Sequence, residues 1–138
     1  MNWKLILKLS MFGLAMGIAT VFVIPSNIEP IFWVAIFLVC ASTISKQCTR
    51  WFFLNGLMVS VVNSVWVTSA HVLLFDSYSA RHASEMAMMA NMPMGNSPRL
   101  LMILLAPVSG IVFGLVLGLF SWVAHRIRNA SARKAELH

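Results

Sequence analysis

Four stretches of the chain, about residues 5–24, 28–45, 51–75 and 99–124, carry almost no charge. A helix rises about 1.5 Å per residue, so about 20 apolar residues cross a hydrocarbon core of about 30 Å. The third stretch, "WFFLNGLMVSVVNSVWVTSAHVLLF", and the fourth, which holds "LLMILLAPVSGIVFGLVLGLFSWVA", meet that length easily. The first meets it if Lys8 snorkels to the interface. The second, around "PIFWVAIFLVCASTI", is the shortest and must borrow flanking residues. Only 10% of the 138 residues are charged, against about 25% in a soluble domain. So few charges cannot clothe a water-facing surface, so the chain is expected to dissolve in lipid.

The expected fold is all-α. It is a single integral membrane domain over residues 1–138: a four-transmembrane-helix bundle with a short extracytoplasmic helix between the third and fourth spans. The loop carrying that helix covers residues 76–98, and residues 125–138 form a tail. The first segment starts basic and continues apolar, like a signal peptide. It lacks a small-x-small site before Pro25, so it reads as a retained helix.

Basic residues set the orientation. With the N-terminus inside, Lys4, Lys8, Lys46, Arg50, Arg126, Arg128, Arg133 and Lys134 are cytoplasmic, and only Arg81 and Arg99 lie outside. That is the positive-inside pattern. Glu29, Asp76 and Glu85 then fall outside and Glu136 inside. Trp3, Trp51 and Trp122 sit near the inner interface, with Trp33 and Tyr78 near the outer one. Both termini are therefore expected in the cytoplasm of a protein of the cell membrane or a bacterial inner membrane. The net charge of +6 is a topology signal. No basic patch with interleaved aromatics indicates nucleic acid. Cys40 lies in an apolar run and Cys48 in a short loop; with that loop in the cytoplasm no disulfide is expected, and without a CxxC pattern no zinc or redox motif.

In lipid, close backbone approach drives much of helix association. Gly110, Gly114 and Gly118 form two overlapping GxxxG steps, and Gly13 and Gly17 form another. These faces are expected to pair the first span with the fourth, or the fourth with a second copy of the chain. Pro107 lies one turn before Gly110, where it can kink the helix. On the third span Gly56, Ser60, Asn63, Ser64, Thr68 and His71 recur at spacings of three or four. They share one broad face that must turn away from lipid. Serine and threonine there can bond back to their own helix. Asn63 and His71 carry more functional weight, because polar groups inside a membrane tend to mark sites.

The outer loop reads "DSYSARHASEMAMMANMPMGNSP". Its alanine, methionine and glutamate predict a short helix over Ala80–Asn91, ended by Pro93, with Pro98 opening the last span. His82 and Glu85 are three apart, with Met86 and Met89 continuing that face. His71, Asp76, His82 and Glu85 form a candidate nitrogen and oxygen ligand set for zinc, iron or copper. Met86, Met88, Met89, Met92 and Met94 add soft thioethers that suit Cu(I). Their M-x-M and M-x-x-M spacings resemble the methionine clusters of extracytoplasmic copper-handling proteins. The competing reading is an adaptable apolar helix that rests on the outer leaflet or caps the bundle.

No Ser-His-Asp order, HExxH or glycine-rich phosphate loop occurs. The leading expectation is therefore a small membrane protein without its own catalysis. It would act as an accessory or interaction module beside another membrane protein or a copy of itself. The second is an extracytoplasmic metal-binding protein of copper type, using His82, Glu85, Met86 and Met89 with His71 or Asp76. The third is an intramembrane enzyme or oligomeric transporter working through Ser60, Asn63, Ser64, Thr68 and His71.

Overall fold

A computed structural model describes residues 1–135. It holds α1 (Trp3–Phe22), α2 (Glu29–Gln47), α3 (Phe52–Leu73), α4 (Phe75–Arg81), α5 (Ala83–Ala90) and α6 (Pro98–Ala135), with no strand among the described residues. Helices α1, α2, α3 and α6 are each long and apolar enough to cross a membrane, the make-up of an integral membrane protein. Residue 1 and the turn between α2 and α3 share one end, the terminal end. The turn between α1 and α2 shares the opposite end with α4 and α5. That opposite end holds the methionine-rich segment.

The boundaries follow local chemistry. The Asn2 side chain caps α1 by accepting from the Leu5 N–H at 3.2 Å. Pro30 stands in the first turn of α2 and Pro98 opens α6, where a missing N–H costs nothing. Trp51, ahead of α3, takes a left-handed φ of 60°. Such a backbone costs about 1–3 kcal/mol and persists only where neighbours over-determine it. Here the buried Asn55 does so. Its Nδ2 donates to the Trp51 carbonyl at 2.8 Å while its Oδ1 accepts from the Asn2 N–H at 3.0 Å.

Helix α3 is the axis of the fold, with α1 on one side and α6 on the other. A Cβ added at Gly13 would lie 2.7 Å from the Asn63 Cα, and one at Gly17 would lie 3.0 Å from the Val67 Cα. On the other side a Cβ on Gly114 would lie 3.0 Å from the Leu57 carbonyl, and one on Gly118 2.8 Å from the Phe53 carbonyl. Gly110 meets Ser64, and Gly56 answers from α3 against the Leu117 carbonyl. The glycine faces are contact faces, and both turn to α3. The expected pairing of the first span with the fourth does not occur, because α3 stands between them.

Helix α2 leans on α6 and touches α3 and α1 less. Its terminal half joins the main core, where Phe37, Cys40, Ala41 and Ile44 meet Leu5, Ile6, Leu9, Val59 and Leu117. Toward the methionine end α2 stands off from α3, and a wedge opens.

The last helix runs on past the apolar stretch that ends near residue 124. No glycine or proline follows Gly118, and the alanine- and arginine-rich sequence carries it to Ala135. Its 38 residues make a rod of about 57 Å, well beyond a hydrocarbon core. The Arg128 guanidinium on this extension donates to the Ser45 carbonyl in the last turn of α2, where a cation suits both the free carbonyls and the helix dipole. Glu136 lies outside the described residues. The short helix expected over Ala80–Asn91 is instead two, α4 and α5, broken at His82 (φ −119°, ψ 51°). Burial wins over helix propensity there, because His82 turns inward and is only 2% exposed.

Candidate functional site

The wedge between α2, α3 and α6 is a cavity of about 550 Å³. From α3 it receives Ser60, Asn63, Ser64, Val67 and Thr68, all but Val67 from the polar face read in the sequence. From α6 come Ser109, Gly110, Phe113, Val116 and Phe120, and from α2 Trp33, Val34 and Phe37. Spacings of three to five along each helix keep these residues on one inward side. Phe37 belongs to both the core and the cavity, so it marks where α2 leaves the packed half.

Most of the wall is apolar, with the polar groups concentrated on α3. The Ser64 and Ser109 hydroxyls donate back to the Val61 and Ala106 carbonyls at 2.8 and 2.9 Å. No histidine, cysteine or lysine is among the residues that line the cavity. Asn63 differs. It is 3% exposed, its Oδ1 accepts from the Gly13 N–H at 3.1 Å, and its Nδ2 has no partner. A buried amide donor left unpaired costs about 1–3 kcal/mol, so such groups call for an explanation.

At the methionine end the cavity lining carries two carboxylates, Glu29 and Glu85, with Ser26 beside them. The Trp33 indole N–H donates to Glu29 Oε1 at 2.9 Å and the Ser84 hydroxyl to Glu85 Oε2 at 2.8 Å. Partial burial opposes ionisation of Glu85, but hydrogen bonds from Ser26 and Ser84 outweigh it and hold the carboxyl below its ordinary value.

Beside the cavity the rings of His71, Tyr78 and His82 form a stack, with 4.2 Å between successive centroids. The Thr20 hydroxyl donates to the Met16 carbonyl at 2.9 Å, which leaves its oxygen to accept from His71 Nε2, also at 2.9 Å. His82 Nδ1 lies 3.1 Å from the Tyr78 carbonyl and must donate there, while Nε2 is buried without a partner. Burial, and then the charges of Glu85 and Glu29, push the Tyr78 phenol up to about 12, so it stays neutral.

The candidate metal ligands are spread over several places. His71 and His82 sit in the stack. Asp76 is exposed and paired with Arg99 at 3.2 Å. Glu85 lines the cavity. Met86 and Met89 pack over Val21, Tyr78 and Met102, while Met88, Met92 and Met94 are exposed. Among the described residues no three histidine, cysteine, aspartate or glutamate side chains gather as a metal ion would need. The methionines that pack act here as an adaptable apolar lid over the helix ends.

The sequence reading missed the contribution of α2. Glu29, Trp33 and Phe37 recur every fourth residue, a helical stripe visible in principle. Its importance rests on the tilt of α2, which spacing does not report. A second, shallower groove of about 600 Å³ between α2 and α6 lies at the terminal end, edged by Lys46 and Arg128. No protein-family model, curated protein or solved structure matches the chain.

Proposed function

We propose that the protein is a non-catalytic accessory module of the membrane that works by binding an amphiphilic molecule in the cavity between α2, α3 and α6. In this reading α1, α2, α3 and α6 cross the bilayer as a four-helix bundle. Both termini lie in the cytoplasm, following the basic residues, and the cavity mouth opens on the extracytoplasmic side of a cell or bacterial inner membrane. The observation that carries it is the unpaired, buried Asn63 amide on the wall of a mostly apolar cavity. At about 550 Å³ the cavity falls within the range of about 300–1,000 Å³ typical of small-molecule sites. A partner helix, about 10 Å across, has no room in it. The Ser64 and Ser109 hydroxyls, committed to their own helices, supply polarity to the wall.

Native mass spectrometry of the protein released from lipid nanodiscs tests this. Wild type is expected to carry one saturable amphiphile adduct, and Ser109→Phe, which fills the cavity from α6, is expected to lose it while keeping its helical circular dichroism. An adduct equally abundant in Ser109→Phe, or none in wild type, contradicts the proposal.

A further inference from the structure

We infer that the molecule this cavity takes is an organic cation, one whose apolar body enters the wedge while its positive group stays at the mouth. The inference deepens the proposed function and rests on it.

Charge is distributed unevenly over the chain. The chain has ten Lys and Arg residues and only four Asp and Glu, yet two of those four acids line this one cavity and none of the bases does. The two carboxylates are held by neutral donors, the Trp33 indole and the Ser84 hydroxyl, so their charge is oriented and not cancelled. The nearby base Arg99 is engaged elsewhere, on Asp76 and over the Phe75 ring at 4.9 Å. A cation at the mouth therefore meets two negative groups with no competing side chain in the cavity. An anion meets only repulsion.

The wall supports the same reading. Trp33, Phe37 and Phe113 form a run of edge-to-face rings, with centroids 6.2 and 6.5 Å apart. Such rings accommodate an apolar body and attract a cation to their faces. Glu29 and Phe37 are two turns apart on α2, so the mouth and the floor are separated by about 12 Å. That is the reach of a small amphiphile with its charge at one end. The second, independent observation lies deeper. Asn63, only 3% exposed and with its Nδ2 unpartnered, stands on the cavity wall. Charge, rings and amide together describe an amine- or quaternary-ammonium-bearing amphiphile.

Calorimetry in phosphatidylcholine nanodiscs, corrected with empty discs, tests the inference with tetraphenylphosphonium and tetraphenylborate, which share a shape and differ in sign. The cation is expected to bind saturably at one site and the borate not to saturate. Glu29→Gln and Glu85→Gln, near-isosteric and checked for unchanged elution and helicity, are each expected to weaken the cation about five- to tenfold. Equal binding of the two ions, or a double Gln variant with unchanged affinity, overturns the charge preference and leaves the cavity reading standing. The same holds if neither ion binds but the adduct sensitive to Ser109→Phe persists. If neither ion binds and no such adduct forms, both readings fall.

Discussion

Asn63 shows how much a single side chain can be asked to do inside a lipid-soluble fold. One end of its amide ties α3 to α1 through the Gly13 N–H, and the other end is buried without a partner. An interhelical hydrogen bond in a membrane is worth about 0.6 kcal/mol on average, so the tie is small. The unpaired donor is the larger effect, a cost of about 1–3 kcal/mol. Replacing Asn63 with leucine removes both. Asn63→Leu should therefore unfold in detergent as stably as wild type or more so, by up to about 2 kcal/mol. Amphiphile binding measured on the same preparation should fall severalfold. A variant that binds as well as wild type would reduce Asn63 to packing. The histidines teach the opposite lesson. His71 and His82 looked like ligands because of their residue type and position near the outer end. Yet the stack with Tyr78 occupies their faces, and Thr20 and the Tyr78 carbonyl each take one ring nitrogen.

At the scale of elements, the helices meet where side chains are absent. A Cβ at position 118 would lie 2.8 Å from the Phe53 carbonyl, a backbone atom that cannot swing aside. Gly118→Ala should therefore cost about 1–3 kcal/mol of overpacking, against a helix-propensity gain of at most about 1 kcal/mol. Ala15→Leu, at an exposed position on α1, serves as the control and should be near neutral. Denaturation in mixed micelles reads the difference, and equal stability of the two variants would remove α3–α6 contact as the organising interface. Much of this level was legible in advance. The four apolar stretches became four long helices, and the glycines and the polar face of α3 did turn inward. Their partners were not legible, because GxxxG spacing marks a face without saying what lies opposite. For the same reason the cavity stayed hidden. It depends on α2 packing through Phe37, Cys40, Ala41 and Ile44 at one end and standing off at the other, a matter of tilt that no residue spacing encodes. The methionine segment was misjudged as one helix because propensity is local, whereas the burial of His82 that breaks it is tertiary.

Across the whole molecule, charge is sorted by end. Bases gather where the termini lie, with Arg128 closing the last turn of α2, and acids gather at the methionine end around the cavity. The account joins these into one claim: a cavity with an acidic mouth, reached from the side opposite the basic ends. Cysteine accessibility tests it most directly. Cys40 is fully buried, so only the partly exposed Cys48 needs replacement by serine to give a silent background. Into that background Ser109→Cys places a thiol on the cavity wall. Membrane-impermeant methanethiosulfonates, one cationic and one anionic, are then added to intact cells. The account predicts modification from outside, faster with the cationic reagent and slowed by a bound organic cation. Modification only after the cells are permeabilised, or equal rates for the two reagents without protection, would contradict it.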